Sequence, residues 1–199
     1  MIIRSVEYAG SVGSPGNPLP GDLPQVAFSG RSNVGKSSLI NVLLRRTRKK
    51  VAHVSSKPGK TQTLNFFRVN DRFFLVDLPG FGYAKAPDAL RARWKRLVEW
   101  YLSRPQGLYG VVHLVDGRHP PFPMDQEMME YLGELGTPTL VVLTKMDRVS
   151  KSKRGKAMDA AAKSLGLDPE QLLAFSAKTG EGRDPLLAAL DELLPPGAL

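Results

Sequence analysis

The chain has 199 residues, of which 42% are apolar and 24% are charged, and its formal net charge is +9. This length and composition are typical of one soluble globular domain, no apolar run approaches the ~18 residues of a membrane span, and the lack of cysteine excludes disulfide bonds. The positive charge favours a polyanionic partner, although a basic surface that only aids solubility is the alternative.

The first 24 residues predict a short strand followed by an irregular connector, because residues 9–24 are dense in glycine and proline. The N-terminus lacks the basic segment, apolar stretch and small-residue cleavage site of a secretory signal. We therefore expect a cytoplasmic protein without a membrane partner. We also expect residues 25–199 to form the functional domain.

From Gln25 onward, apolar runs of strand length alternate with longer amphipathic runs, which indicates βαβ units and a mainly parallel sheet. The predicted strands are residues 25–29, 64–69, 72–77, 110–115, 139–143 and 172–176. The predicted helices are residues 36–46, 87–103, 124–135, 152–165 and 185–194. The short Asn70-Asp71 joint requires an antiparallel hairpin. The expected fold is thus α/β, with a six-stranded, mostly parallel sheet that has one antiparallel strand and helices on both faces.

A phosphate-binding pattern, G-x-x-x-x-G-K-S, follows the first predicted core strand and opens the first helix. Glycines at these places let backbone N–H groups and the positive end of a helix surround a polyphosphate. Lys36 is placed to reach the β- and γ-phosphates, and Ser37 to ligate Mg²⁺. The predicted binding residues here are Gly30, Arg31, Ser32, Asn33, Val34, Gly35, Lys36 and Ser37.

A polar segment, K-P-G-K-T-Q-T, lies between the first helix and the hairpin. A threonine hydroxyl there can complete the Mg²⁺ shell only when a γ-phosphate is present, so the segment is a candidate switch, with a plain basic loop as the alternative. Spacing alone allows either threonine. The predicted nucleotide contacts are Gly59, Lys60, Thr61, Gln62 and Thr63.

The predicted strand 72–77 ends in a D-L-P-G loop at the rim where ligands bind in such sheets. Asp77 is placed to hold Mg²⁺ through water, and the N–H of Gly80 to contact the γ-phosphate. The predicted nucleotide contacts are Asp77, Leu78, Pro79 and Gly80.

Two further loops on this rim predict the base. The carboxylate of Asp147 can accept two hydrogen bonds from guanine, from N1–H and the exocyclic amine. Adenine N1 carries no hydrogen and is itself an acceptor, so Asp147 favours GTP over ATP. The stem of Lys145 can cover the purine face, and small residues after the last strand let backbone N–H groups approach guanine O6. The predicted contacts are Thr144, Lys145, Met146 and Asp147, with Phe175, Ser176 and Ala177.

In this order the loops resemble those of the translation-factor-like P-loop GTPases (TrmE, Era, EngA and EngB) and, more narrowly, the EngB family, also called YihA or YsxC. The segments G-R-S-N-V-G-K-S-S and P-G-K-T-Q-T-L-N-F carry the resemblance. It implies a six-stranded GTPase domain with Mg²⁺ as cofactor and Thr61 as the metal threonine. It also implies maturation of the large (50S) ribosomal subunit, through rRNA and ribosomal proteins, and a requirement for normal cell division and septation.

Two residues bear on hydrolysis, for which Lys36, Asn33, Thr61 and Gly80 are the predicted catalytic residues. Phe81 occupies the position after D-x-x-G where Ras-type GTPases carry a water-orienting glutamine, so we expect slow unaided turnover. Asn33 motivates the hypothesis of K⁺-stimulated hydrolysis, because some related GTPases bind K⁺ through an asparagine there. A loop-capping hydrogen bond is the alternative role for Asn33.

Basic residues cluster at positions 91–96, after the D-x-x-G loop, and again at 151–156. The first cluster can contact RNA phosphates in a manner that depends on the bound nucleotide. The leading prediction is a monomeric GTPase that binds the large ribosomal subunit in its GTP form. The alternatives are a nucleotide-gated binding module with negligible hydrolysis, a P-loop ATPase or kinase, which Asp147 disfavours, and a division scaffold.

Overall fold

The computed structural model of the chain describes residues 2–44, 63–82, 87–104 and 106–196. Seven strands form one sheet: β1 (Val6–Val12), β2 (Gln25–Gly30), β3 (Leu64–Val69), β4 (Phe73–Asp77), β5 (Leu108–Asp116), β6 (Thr139–Thr144) and β7 (Leu172–Ala174). The α-helices are α1 (Lys36–Leu43), α2 (Asp88–Leu102), α3 (Pro123–Glu134), α4 (Lys151–Leu165) and α5 (Arg183–Leu193). Short 3₁₀ turns cover Met146–Arg148 and Pro169–Gln171.

The sheet has the order β1-β3-β4-β2-β5-β6-β7, and within it only β3 runs against the other strands. The reversal occurs at Asn70 and Asp71, whose φ angles of 53° and 55° lie in the left-handed region that a tight hairpin turn requires. Asn and Asp tolerate this region better than other non-glycine residues. The predicted α/β class, the single antiparallel strand and the hairpin are confirmed.

The predicted count of six strands was short by one, because the N-terminal strand joins the sheet. β1 pairs antiparallel with β3, from Val6 opposite Val69 to Val12 opposite Leu64, with an irregularity between Tyr8 and Gly10. This strand lies at the sheet edge and buries few of its residues. Its residues therefore show no strong apolar pattern, and its partner β3 lies far along the chain.

The two faces of the sheet bury different helices, because alternate strand residues point to opposite sides. On one face, Phe28 and Leu114 pack with residues of α1 and α5, including Ile40 and Leu190. On the other face, the apolar residues of β3 and β5 pack with α2 and α3, and a third cluster joins β6 to α4. Helices on both faces were predicted, and this prediction is confirmed.

The carboxyl ends of the parallel strands form one rim. Neighbouring strands place Gly30 opposite Leu114, Phe28 opposite Asp77, and Asp116 opposite Thr144. The last strand, β7, ends at Ala174 rather than at the predicted residue 176, because the carbonyl of Phe175 and the N–H of Ser176 bond to other loops: the N–H of Met146 donates to Phe175 O, and the N–H of Ser176 to Glu181 O. Among the described residues, no helix is both long and apolar enough to cross a bilayer.

Candidate nucleotide-binding site

The phosphate loop links β2 to α1 through two glycines with positive φ, 150° at Gly30 and 111° at Gly35. A Cβ atom on Gly30 would lie 2.8 Å from the carbonyl oxygen of Leu114, so this position has no room for a side chain. α1 begins at Lys36, directly after Gly35. The loop therefore aims the N-terminus of a helix at the rim, an arrangement that suits an anionic group.

The predicted contact Arg31 uses its side chain elsewhere. Its guanidinium carbon lies 3.5 Å from the centroid of the Phe122 ring, in the loop before α3. This cation–π contact directs the side chain toward α3. The backbone of Arg31 remains part of the phosphate loop, where its carbonyl accepts a hydrogen bond from the N–H of Val34 at 3.1 Å.

Lys36 and Asp77 form a buried ion pair between the phosphate loop and the end of β4. Their side chains are only 7% and 4% exposed, so each charge depends on the other for compensation. Polyphosphate oxygens would compete with Asp77 for the ammonium of Lys36. The ammonium of Lys36 is thus placed to bind phosphate. Beside it lie the carboxylate of Asp77 and the residue Ser37, whose carboxylate and hydroxyl oxygens are donors of the kind that Mg²⁺ prefers.

The D-L-P-G-F loop packs directly on the phosphate loop. The N–H of Ser32 donates to Phe81 O at 2.8 Å, and the N–H of Phe81 to Gly30 O at 3.4 Å. A Cβ atom on Gly80 would lie 3.1 Å from the Cα of Ser32, closer than packed side chains normally come. The two loops are therefore in direct backbone contact.

The T-K-M-D loop also contacts the phosphate loop. The hydroxyl of Thr144 lies 2.6 Å from Val34 O, and the ammonium of Lys145 donates to Asn33 O at 2.6 Å. Asn33 and Lys145 both have left-handed backbone conformations, with φ of 64° and 60°. These contacts bring the two predicted loops together although 110 residues separate Thr144 from Val34.

Asp147 is held by the loop after β7, because the hydroxyl of Ser176 donates to Asp147 Oδ1 at 2.8 Å. Arg154 of α4 connects the T-K-M-D loop with the loop after β7: it donates to Met146 O at 2.8 Å and to the carboxylate of Glu181 at 2.7 Å. Of the other residues predicted here, Met146 and Phe175 are buried and Ala177 is half-buried. The structure thus brings the two predicted base-recognition loops side by side.

One segment of the predicted site lies outside the described residues, namely Gly59, Lys60, Thr61 and Gln62. Thr63, next in the chain, is half-buried, and its hydroxyl contacts Asn65 Oδ1 at 3.2 Å. Asn65 stands opposite Asp77 in the β3–β4 ladder. Thr63 is therefore close to the rim that carries the other loops.

Sequence reasoning missed Asp116, the last residue of β5. Its carboxylate accepts hydrogen bonds from Lys145 at 2.8 Å and from Arg118 at 2.7 and 2.9 Å. Burial raises the pKa of the Asp116 carboxyl, but the hydrogen bonds from Arg118 and Lys145 outweigh burial and hold this pKa well below its usual range. The available signal was an acid at the end of an apolar strand on the ligand-binding rim, as at Asp77.

A strand–loop–helix phosphate cradle, a D-x-x-G loop packed against it and a T-K-x-D loop on the same rim define a P-loop GTPase domain. A family model described as "50S ribosome-binding GTPase" matches residues 25–145, and one described as "Elongation factor Tu GTP binding domain" matches residues 103–196. The chain is also 48% identical to a probable GTP-binding protein EngB of Desulforamulus reducens, over 98% of this chain and 95% of that protein. The chain belongs to the EngB family of GTP-binding proteins.

Other comparisons agree with this assignment. The chain is 46% identical to a probable GTP-binding protein EngB of Citrifermentans bemidjiense, over 100% of this chain and 92% of that protein. A crystal structure of a probable GTP-binding protein EngB superposes with a TM-score of 0.71 at 26% identity, covering 85% of this chain and 97% of the other. Aquifex aeolicus Era bound to GDP·AlF₄⁻ also gives 0.71 at 26% identity, over 89% of this chain and 58% of that one.

Proposed function

We propose that this GTP-binding protein is a Mg²⁺-dependent GTPase that binds the large ribosomal subunit in its GTP form and leaves after hydrolysis. The observation that carries the proposal is the direct contact between the phosphate loop and the D-L-P-G-F loop, through the Ser32–Phe81 hydrogen bond. The D-x-x-G loop precedes α2 in the chain, and α2 carries exposed basic residues. Loss of the γ-phosphate would thus be communicated toward a basic surface.

In this proposal the five predicted loops hold GTP or GDP. Lys36 exchanges its partner Asp77 for the β- and γ-phosphates, and the N–H of Gly80 contacts the γ-phosphate. Ser37 and Thr61 would ligate Mg²⁺ and Asp77 would hold it through water; a bound Mg²⁺ would supply positive charge to offset the charge that develops on the phosphates. Asp147 accepts hydrogen bonds from guanine, and the hydroxyl of Ser176 orients the Asp147 carboxylate.

Hydrolysis without a partner should be slow, because Phe81 has no group that can orient water. Its ring is instead stacked on the buried His113. We propose that K⁺ bound by Asn33 supplies positive charge beside the β- and γ-phosphates, in the place of an arginine finger. The side chain of Asn33 is available for such a role, because the residue is exposed and its contact with Lys145 uses the backbone carbonyl.

The ribosomal partner is proposed from charge and from relatives. Arg91, Arg93, Lys95 and Arg96 are all exposed on α2, where they can contact RNA phosphates. The family model is described by 50S ribosome binding, and a structure of Era in complex with a segment of 16S ribosomal RNA is 25% identical to this chain. We extend this proposal to assembly of the large subunit, through contacts with rRNA and ribosomal proteins. The protein would act as a monomer in the cytoplasm and would be needed for normal cell division and septation.

The decisive experiment is co-sedimentation with 30S, 50S and 70S particles, with GDP or a non-hydrolysable GTP analogue, across a salt series. We expect selective binding to 50S with the analogue. Purely electrostatic attraction would weaken with salt whichever nucleotide is bound, and equal binding in both nucleotide states would contradict the proposal. A variant with Arg91, Lys95 and Arg96 changed to Gln should lose subunit binding while retaining nucleotide binding.

The second candidate function is a nucleotide-gated ribosome-binding module with negligible hydrolysis, which the lack of a catalytic glutamine at Phe81 favours. Single-turnover decay of GTP, measured with and without ribosomal subunits, separates the two. Decay that subunits accelerate supports the GTPase cycle. Decay no faster than that of free GTP in both cases supports the module.

A further inference from the structure

The carboxylate of Asp116 joins two cations at the end of β5. Oδ1 accepts hydrogen bonds from Arg118 Nε at 2.9 Å and from the Arg118 N–H at 3.2 Å. Oδ2 accepts from Arg118 Nη2 at 2.7 Å and from Lys145 Nζ at 2.8 Å. Because this side chain is only 14% exposed, the charge is shielded from solvent and its contacts are directional.

Lys145 is held at both ends. Its backbone adopts a φ of 60°, and its ammonium contacts both Asp116 Oδ2 and Asn33 O. The lysine stem therefore spans the gap between the T-K-M-D loop and the phosphate loop. A lysine in solution samples many rotamers, so two acceptors that fix its tip remove most of that freedom before any ligand arrives.

We propose that Asp116 is a positioning residue for guanine-nucleotide binding, which acts by holding the Lys145 stem in place to cover the purine ring. This inference rests on the proposed role of Lys145 at the base. Asp116 itself need not touch the nucleotide. Its contribution is preorganisation of a neighbour.

The proposal predicts a specific pattern of affinities. Because Lys145 covers the base, which GTP and GDP share, the loss of Asp116 should weaken both nucleotides by the same factor. Preference for guanine over xanthine should not change, since Asp147 is untouched. Coupling between directly contacting groups leads us to expect about a tenfold loss.

The experiment measures binding of fluorescent GDP and of a fluorescent non-hydrolysable GTP analogue to the full chain with Mg²⁺. The variants are Asp116→Asn, Lys145→Ala and the double variant, with Asp159→Asn, an exposed aspartate of α4, as the matched control. We expect Asp116→Asn to lose about tenfold and the double variant to bind no more weakly than Lys145→Ala alone. Asp116→Glu, which keeps the carboxylate, should recover part of the loss.

Arg118→Ala guards against loss of folding as an explanation. It removes the other cation but keeps the Asp116–Lys145 pair, so we expect a smaller loss of affinity than in Asp116→Asn. Losses that multiply in the double variant, an Asp116→Asn affinity equal to wild type, or a loss in Arg118→Ala as large as that in Asp116→Asn would each overturn the inference. Failure of the wild-type chain to bind either nucleotide would instead overturn the proposed function, which distinguishes the two.

Discussion

The ring of Phe81 lies parallel to the imidazole of His113, with 6.0 Å between the ring centroids and 9° between their planes. His113 is fully buried on β5, where Nδ1 contacts the Ser29 hydroxyl at 2.8 Å and Nε2 lies 3.5 Å from Asp125 Oδ1. Asp125 also accepts a hydrogen bond from the N–H of Phe122 at the start of α3. One imidazole thus connects the strand before the phosphate loop, the D-x-x-G loop and α3.

We expect His113→Leu to lower the free energy of unfolding by about 1–3 kcal/mol, because it leaves the buried Ser29 hydroxyl without its imidazole partner and places an apolar side chain beside the buried Asp125 carboxylate. Urea unfolding without nucleotide measures this change. The control is His119→Leu, at an exposed position three residues beyond β5, which should stay within about 0.5 kcal/mol. Equal effects of the two changes would show that the imidazole contributes only apolar volume.

Lys36→Ala should abolish tight binding of GTP, because it removes the only side-chain cation within the G-K-S turn. It should also destabilise the nucleotide-free protein, by about 3 kcal/mol, since Asp77 is left buried without its partner. Nucleotide titration and urea unfolding measure the two effects separately. Lys163→Ala, at an exposed position of α4, is the control and should change neither quantity.

The candidate site was largely predictable because its loops are local patterns. Gly30, Lys36 and Asp147 lie within short runs whose spacing is fixed by the ligand, and the strands before them are continuous apolar segments. Contacts between distant positions were not predictable: β1 pairs with β3 across more than 50 residues of sequence, and His113 contacts Ser29 across 84 residues. The sequence indicated that His113 lies on a strand but could not indicate its partners.

Asp147→Asn should relax the preference for guanine toward xanthine. In its proposed role the carboxylate would accept two guanine N–H groups, whereas an asparagine amide also offers a donor, which suits the additional carbonyl of xanthine. Competition of GTP and XTP against a fluorescent guanine nucleotide measures the change. Ser176→Ala, which removes only the hydroxyl that orients Asp147, should weaken GTP without favouring XTP, and a shift toward XTP in that variant would contradict the proposed division of roles.

Asp116 should contribute stability that depends on pH. Its folded-state pKa lies below the ordinary value, because the hydrogen bonds from Arg118 and Lys145 outweigh the opposing effect of burial. The unfolded chain therefore takes up a proton first as pH falls, so the contribution is fully present above about pH 4 and is lost below it. The difference in unfolding free energy between wild type and Asp116→Asn should shrink from pH 6 to about pH 3, and a constant difference would contradict this.

The K⁺ hypothesis can be tested at Asn33 without disturbing its backbone. Asn33 has a φ of 64°, and its carbonyl accepts the ammonium of Lys145, so Asn33→Gly preserves both the left-handed conformation and that hydrogen bond. The substitution removes the side chain, including the amide oxygen that would bind K⁺, and leaves the backbone contacts in place. Multiple-turnover hydrolysis by the wild type should be at least about tenfold faster in K⁺ than in Na⁺, because the cation replaces the charge of an arginine finger.

In Asn33→Gly the two salts should give the same slow rate, while affinity for GDP stays near that of wild type. Asn33→Asp, which retains an oxygen at the same position, should keep part of the K⁺ response. Equal wild-type turnover in Na⁺ and K⁺ would refute the cation role. Asn33 would then remain a loop residue whose carbonyl holds Lys145, and the group that orients the attacking water, which Phe81 lacks, would have to come from another residue or from a partner.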